Sequence, residues 1–301
     1  MVARLPRVVL VRLATRMADM LRTIAVEDVA LMKEELRRTV GNVDVDAIVR
    51  QAWQLRMLNE LEVLSYSHLN QSNVDSLVKI VGVRHLDAAR QNNKGVLLMI
   101  SHFGANQLVM PALGYNGYSI NQLSASPTVW TQIRTDKRNN RVWERVQRHR
   151  WALEQQLPAK HIDVFGFMRP AFRCLEKNEV LAIAFDGGGG SGWVPVPLGK
   201  RTAWVSTQPW QLARSTQAAV VPAVVVRQPH ELVHRVVLDR PFVVDKSADR
   251  QADIERAAAA HGRWFSAWVQ RFPAHYLPFL LLRRRVRQSD SRPFFDDYQR
   301  T

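Results

Sequence analysis

Residues 94–107 read Lys-Gly-Val-Leu-Leu-Met-Ile-Ser-His-Phe-Gly-Ala-Asn-Gln, and this stretch decides the fold. Five apolar residues in a row, 96–100, are typical of a strand buried on both faces. A helix is predicted to begin at Ala105, so His102 lies between the strand and the helix. Ligands bind at the carboxyl ends of the strands in open α/β sheets. The pattern therefore places His102 where a ligand is expected.

Segments of strand and helix character alternate outward from this stretch. Further strands are predicted at 76–81, 118–123, 161–164, 180–185, 219–226 and 235–238. Helices are predicted at 5–24, 46–66, 86–91, 136–157, 170–176, 207–215 and 253–272. This alternation predicts an α/β fold: a single domain with a mostly parallel central sheet flanked by helices, and N-terminal helices. Within it we expect an N-terminal helical region at 1–70, with possible membrane-surface contact, an α/β region at 71–287 and a polar C-terminal tail at 288–301.

The composition narrows the class of protein and of partner. Of the 301 residues, 47% are hydrophobic and 23% are charged, which excludes disordered and fibrous chains. The net charge of +15 predicts an anionic partner: a nucleic acid, an anionic membrane, or an acidic protein or cofactor. The single cysteine, Cys174, excludes an internal disulfide and a cysteine-rich zinc site. No apolar run approaches the ~20 residues of a membrane-spanning helix and no secretory signal is recognised, so we expect a cytoplasmic protein.

Two basic segments near the ends of the chain each allow two interpretations. Residues 5–24 have helical periodicity with interspersed arginines, which fits a helix on a membrane surface or one packed against its own domain. Residues 276–282, Tyr-Leu-Pro-Phe-Leu-Leu-Leu, precede Arg283, Arg284, Arg285 and Arg287. This segment fits an apolar wedge at an anionic membrane. It equally fits a final strand or helix packed on the sheet, with the arginines in solvent.

His102 has two candidate partners. Gln107 falls in the first turns of the predicted helix, where its amide carbonyl can orient the imidazole but cannot offset a positive charge on it. Asp186 directly follows the buried strand 180–185, so it lies on the same edge as His102 if the sheet is parallel. Asp186 is therefore either a second partner of the ring or a turn residue. The glycines at 187–190 form either a mobile flap beside the site or a plain surface loop.

Several motifs occur in a fixed order along the chain. They are Gly82-x-x-His85-Leu86, residues 95–101 with His102, Leu175-Glu176-Lys177-Asn178-Glu179-Val180 with Phe185-Asp186, Pro197-Leu198 with Ala203 and Leu212-Ala213-Arg214, Val221-Pro222, and Pro273-x-x-Tyr276 with the arginines after it. The set spans residues 75–287 and resembles the bacterial lipid A late acyltransferases of the lysophospholipid acyltransferase superfamily.

The resemblance implies transfer of a fatty acyl chain from an acyl carrier protein or coenzyme A thioester to a hydroxyl of a lipid or lipid-like acceptor. His102 would be the general base that removes the hydroxyl proton. The resemblance implies no metal and no cofactor other than the thioester co-substrate. It also implies a peripheral protein on the cytoplasmic face of the inner membrane, in contact with anionic lipid. The charge of +15 would steer an acidic acyl carrier protein to the surface.

The sequence departs from that family in two places. The family motif is His, four residues, then Asp or Glu, whereas this chain has Gln107. In serine proteases, exchanging the orienting carboxylate for its amide costs ~10⁴ in rate. Three alternatives follow: slow turnover, a carboxylate supplied by Asp186, or a weakened member that binds an acyl chain or partner without efficient turnover. The second departure is an arginine-rich stretch where the family has an N-terminal hydrophobic anchor.

The remaining site candidates concern substrate binding. The resemblance places a phosphate-binding arginine within the helix predicted at 136–157, where Arg148 or Arg150 matches best, and the alternative is a solvated basic face. Gly104 relaxes the tight turn after the strand, and it and Asn106 are further substrate-binding candidates. Tryptophans interleave with these arginines, as in some nucleic-acid-binding proteins. No nucleic-acid motif is recognised, so no nucleic acid is expected as partner.

Overall fold

The computed structural model describes residues 5–126, 129, 141–188, 190, 192–229, 231–286 and 292–298. For residues 141–143 it describes the backbone alone. The first turn of the helix predicted at 136–157, and Arg287 of the basic tail, lie outside these residues.

Helices and strands alternate through most of the chain. The helices are α1 (Arg7–Ile24), α2 (Val26–Thr39), α3 (Val45–Val63), α4 (Val83–Arg90), α5 (Val109–Gly114), α6 (Arg141–Glu154), α7 (Arg169–Glu176), α8 (Gln208–Thr216), α9 (Arg250–Arg271) and α10 (Pro273–Arg284). The strands are β1 (Val78–Val81), β2 (Val96–Ile100), β3 (Ile120–Ser124), β4 (Lys160–Asp163), β5 (Val180–Ala184), β6 (Trp193–Leu198), β7 (Arg201–Ser206), β8 (Ala219–Val226) and β9 (His234–Leu238).

A seven-stranded sheet forms the centre of the domain, in the order β1-β9-β8-β2-β5-β3-β4. The strands β8, β2, β5, β3 and β4 run parallel to one another, whereas β9 is antiparallel to β8 and parallel to β1. Both β2 and β8 are buried along their whole length, as their unbroken apolar sequences predict. The predicted fold is confirmed: a single α/β domain with a mostly parallel sheet, flanking helices and N-terminal helices.

The sequence did not indicate the hairpin β6–β7 or the helix α2. Strand β6 contains Pro195 and Pro197, which lack a backbone donor and argue against a strand. It nevertheless pairs with β7 in a separate two-stranded sheet, where prolines are tolerated on the unpaired side. Helix α1 ends at Ile24 and α2 begins at Val26, and the residue between them is Ala25, so no Gly or Pro marks the boundary.

Helix α1 packs against its own domain through one face. Leu10, Ala14 and Ala18 are buried on that face, and α1 lies against α3. Met20 and Ile24 are exposed, so contact of the outer face with a membrane stays a prediction. Among the described residues, no helix is both long and apolar enough to cross a membrane.

The C-terminal segment forms α10 inside the core, so its interpretation as a membrane wedge is wrong. Its apolar residues Tyr276, Leu277, Phe279, Leu280 and Leu281 are buried. The expectation that its arginines lie in solvent is also wrong for the three that the structure describes. Arg283 is buried, Arg284 pairs with Glu35 at 2.8 Å, and Arg285 pairs with Asp28. These ion pairs join α10 to α2, which explains an arginine cluster directly after an apolar run.

Candidate active site

The central strand β2 delivers His102 to the carboxyl edge of the sheet. The turn after it depends on Gly104, whose φ is +64° and where a Cβ would lie 2.2 Å from the carbonyl oxygen of Val225. The Gly104 N–H donates a hydrogen bond to the carbonyl of His275 at 3.0 Å. The turn is thereby held between β8 and α10, and the His102 side chain is left 29% exposed. This close packing explains why position 104 is a glycine, and a role of Gly104 in binding substrate stays a prediction.

Asp186 lies beside His102 because β5 is the parallel neighbour of β2. The register pairs Ile100 with Ala184, so the segments that follow β2 and β5 leave the sheet at the same level. Asp186 Oδ1 lies 2.8 Å from His102 Nδ1, and the backbone N–H of His102 donates to Asp186 Oδ2 at 3.0 Å. The carboxylate is fully buried. Of the two interpretations of Asp186, the geometry favours the partner of the ring, as the parallel-sheet argument expected.

A third side chain, Tyr276, completes the chain of hydrogen bonds. Its hydroxyl donates to Asp186 Oδ2 at 3.0 Å from the first turns of α10. Burial, together with the neighbouring Asp186, raises the pKa of Tyr276 well above its usual range, so the hydroxyl remains a donor. No role for Tyr276 follows from the sequence alone. The motif Pro273-x-x-Tyr276 contains this residue, but only the folded chain brings its hydroxyl to Asp186.

The arrangement fixes the position and the tautomer of the imidazole. The His102 ring stacks on Phe279, with centroids 4.4 Å apart and planes 2° apart. Because a carboxylate oxygen faces Nδ1, the proton of the neutral ring belongs on Nδ1 and the lone pair on Nε2. A carboxylate behind the ring also stabilises the imidazolium that forms when Nε2 takes a proton. This pair can therefore act as a general base.

The glycine-rich loop passes directly beside the ring. A Cβ on Gly187 would lie 3.6 Å from His102 Cε1, and one on Gly188 would lie 2.8 Å from Arg283 Nη1. Gly188 also has a φ of +84°, which disfavours other residues. Gly187 and Gly188 thus lie next to the site, Gly189 lies outside the described residues, and the motion of a flap stays a prediction.

Gln107 does not occupy the place of the orienting acid. It lies in a short 3₁₀ helix, Asn106–Leu108, that precedes α5. Among the described residues no hydrogen bond joins its side chain to His102, whose Nδ1 faces Asp186 instead. The expectation that Gln107 folds back onto the ring is not met, because the 3₁₀ turn comes before the helix proper. Asn106 shares this turn, and its role in binding substrate stays a prediction.

The two candidate arginines on α6 have different surroundings. Arg150 is largely buried and pairs with Glu60 at 2.6 Å and Glu154 at 2.9 Å. Burial opposes its charge, but the two carboxylates outweigh that effect and raise the pKa of Arg150. The contact with Glu60 joins α6 to α3, and binding of substrate by Arg150 stays a prediction. Arg148 is exposed and pairs with Glu144 at 3.3 Å, so it fits the solvated basic face, and its binding of substrate phosphate stays a prediction.

Comparison with known families bears on what this site does. The family described as bacterial lipid A biosynthesis acyltransferase matches residues 1–287. The chain belongs to that family. A search of curated proteins finds no significant match. Membership in the lipid A biosynthesis acyltransferase family confirms the resemblance stated above and extends it to the N-terminal helices, which the matched range includes.

Other chemistries that the side chains could support are poorly placed. Burial raises the pKa of the Cys174 thiol to about 12, which disfavours a thiolate nucleophile there. Within the described ranges, no cluster of three or more His, Cys, Asp or Glu is placed to hold a metal ion. Among the described residues, the pair His102 and Asp186 therefore stays the candidate for general-base chemistry.

Proposed function

We propose that this protein transfers a fatty acyl chain from an acyl carrier protein or coenzyme A thioester to a hydroxyl of a lipid or lipid-like acceptor. The observation that supports this most strongly is the chain of hydrogen bonds from Tyr276 through Asp186 to His102 at the carboxyl edge of the sheet. Family membership supplies the reaction class, acyl transfer in lipid A biosynthesis.

The proposed reaction needs one general base. His102 Nε2 takes the proton of the acceptor hydroxyl while the oxygen attacks the thioester carbonyl. The tetrahedral adduct then collapses, the carbon–sulfur bond breaks, and the leaving thiolate takes the proton back from the imidazolium. The products are an ester and a free thiol, so atoms and charge balance. Asp186 keeps the Nδ1 proton in place and stabilises the imidazolium, as the aspartate does in the serine-protease template.

The substrates proposed for this site suit the charge of the protein. Acyl carrier protein is acidic, coenzyme A carries phosphates, and the chain has a net charge of +15. Opposite charge raises the rate of encounter more than the final affinity. We include in the proposal a peripheral position on the cytoplasmic face of the inner membrane, where a lipid acceptor would be found.

A weakened member that binds an acyl chain without efficient turnover is the second candidate. It is motivated by Gln107, which stands where the family motif has an acid. Asp186 weakens that argument, because it places a carboxylate 2.8 Å from the ring by another route. We therefore favour turnover.

The test is thioester consumption and ester formation by purified protein. Long-chain acyl-coenzyme A or acyl carrier protein would be supplied with a bacterial lipid extract, and new acylated lipids identified by mass. His102→Ala should lower the rate by about 10²–10⁴-fold. The matched control is His68→Ala, because His68 is exposed at the end of the short 3₁₀ helix Tyr66–His68 and lies outside the site. Equal rates in the His102→Ala variant and the wild type would contradict the proposal, and binding of acyl chains without any product would favour the second candidate.

A further inference from the structure

An exposed aromatic loop joins β4 to α7. Phe165 is 69% exposed and Phe167 is 93% exposed, the highest value among the large apolar side chains that the structure describes. Val164 and Phe172 are partly exposed beside them, at 37% and 38%. Single exposed apolar residues are common on protein surfaces, but a contiguous apolar patch indicates a binding surface.

Hydrogen bonds hold this loop in a defined turn. The Val164 N–H donates to the Ser124 carbonyl at 3.1 Å, which extends the β3–β4 ladder by one residue. The Phe165 N–H donates to Asp163 Oδ1 at 3.0 Å, and the Gly166 N–H donates to the Asp163 carbonyl at 3.1 Å. This hydrogen-bonded turn therefore holds the rings of Phe165 and Phe167 at the surface, exposed to solvent.

Arginines lie next to the aromatic rings. A shallow cleft is lined by Phe167, Arg169, Pro170 and Arg173, and both arginines are exposed. A cation beside an inserted aromatic ring suits the boundary between the phosphates and the acyl chains of an anionic bilayer. The net charge of +15 likewise favours an anionic bilayer over an uncharged one.

The loop also emerges at the same edge of the sheet as the candidate active site. The register pairs Ser124 with Asp163, and β3, β4 and β5 are parallel, so β4 ends at the level where β5 leads into Asp186. Strand β4 is the third strand from β2. With strands about 4.8 Å apart, the loop begins about 14 Å from the strand that carries His102.

We propose that residues 164–173 are the membrane-contacting surface of this protein, in which Phe165 and Phe167 insert into an anionic bilayer and Arg169 and Arg173 contact lipid phosphates. This surface would bring the carboxyl edge of the sheet to the bilayer. It replaces the C-terminal wedge considered from the sequence, whose apolar residues are buried in α10. The binding itself does not depend on the proposed acyl transfer.

The first test measures cosedimentation with vesicles of phosphatidylglycerol and phosphatidylcholine in equal parts. Phe165→Ser combined with Phe167→Ser should lower the partition coefficient about a hundredfold, because burial of one large apolar side chain is worth roughly tenfold or more. Neutralising Arg169 and Arg173 to Gln should cost about fivefold each, and this effect should fade in high salt. The matched control on α1 is Met20→Ser with Ile24→Ser, which removes two other exposed apolar side chains.

A second test reads insertion directly and does not depend on the stability of the double variant. Cys174 is buried, so Phe167→Cys can be labelled selectively with a polarity-sensitive fluorophore. Its emission should shift to the blue on addition of the vesicles. Asn92→Cys, on the exposed turn before β2 at the opposite edge of the sheet, should not shift.

Three results would overturn the inference. They are wild-type partitioning of the Phe165/Phe167 variant, loss of partitioning only in the α1 variant, and a change of oligomeric state in the Phe165/Phe167 variant without a change in vesicle binding. The last would show that the patch binds another protein chain. Because all these readouts are of binding, an inactive protein would leave them interpretable.

Discussion

Asp186→Asn replaces one buried carboxylate oxygen next to His102 with an NH₂ group and leaves the side-chain volume almost unchanged. The carboxylate of Asp186 accepts from His102 Nδ1 at 2.8 Å and from the Tyr276 hydroxyl at 3.0 Å. The two bonds go to different carboxylate oxygens, Oδ1 and Oδ2, and an amide has an NH₂ group in place of one of them. If its NH₂ group faces His102, the ring proton moves to Nε2 and the base is lost. If the NH₂ group takes the place of Oδ2, it faces the backbone N–H of His102, which can only donate, in a buried site.

The expected loss of rate is large. Exchange of the orienting aspartate for its amide costs ~10⁴ in the serine-protease template. A factor of 10⁴ corresponds to roughly 5.5 kcal/mol in the activation barrier. We expect a fall of about 10³–10⁴ in kcat with little change in KM, since the charge that Asp186 stabilises develops only during the reaction.

The assay is release of free thiol from long-chain acyl-coenzyme A or acyl carrier protein in the presence of a lipid extract. A matched control is Asp87→Asn, because Asp87 accepts a hydrogen bond from the Tyr118 hydroxyl at 2.7 Å on the surface, away from the site. Gln107→Glu is measured alongside and should leave the rate flat or lower it, since no hydrogen bond joins residue 107 to the ring in the described part of the chain. Circular dichroism checks that each variant is folded.

The opposite pattern would refute this reasoning. If Asp186→Asn keeps its rate within about tenfold while Gln107→Glu raises kcat, the motif position carries the orienting role and Asp186 is a turn residue.

Three further outcomes follow from the same contacts. Tyr276→Phe removes the donor to Asp186 and should lower kcat about tenfold at constant KM in steady-state kinetics. The melting temperature should change little, which separates this loss of rate from a loss of thermal stability. His261 is fully buried, neither ring nitrogen has a hydrogen-bond partner among the described residues, and burial lowers its pKa to about 3. The free energy of unfolding should therefore have its full value above pH 6.5 and fall by about 1.4 kcal/mol per pH unit as the pH drops towards 3, because His261 takes up a proton only in the unfolded chain over this range. His261→Phe should flatten this fall in denaturant titrations across the same range. Gly104→Ala should destabilise the fold by more than 1 kcal/mol in the same titrations, because its Cβ would overlap the Val225 carbonyl at a positive φ, and an unchanged midpoint would contradict this account of the turn.

The fold follows from the sequence where the apolar runs are unbroken. Strands β2 and β8 are buried throughout, and apolar runs of that kind that alternate with helices predict a mostly parallel sheet. The sequence does not predict the hairpin β6–β7, because prolines obscure a strand that forms outside the main sheet.

The candidate site follows in part. The position of Asp186 beside His102 could be expected from two parallel strands that end at the same edge. The absence, among the described residues, of a hydrogen bond between Gln107 and His102 could not, because it depends on a 3₁₀ turn that periodicity does not reveal.

The C-terminal segment shows the limit of composition. An apolar run before clustered arginines suits a membrane surface and a buried helix equally well. The acidic partners that decide the matter, Glu35 and Asp28, lie on α2, about 250 residues earlier in the chain.

Restoration of activity by added imidazole tests the central claim most directly. His102→Ala removes the ring but leaves Asp186 and Tyr276 in place, and the lost side chain is 29% exposed, so a small base can reach the gap from solvent. If His102 is the general base, the variant should lose about 10²–10⁴-fold in thioester turnover and regain part of it in proportion to the concentration of imidazole, while the His68→Ala control stays unaffected. Full activity of the His102→Ala variant without imidazole would contradict the account, and so would a folded, inactive variant that no concentration of imidazole restores.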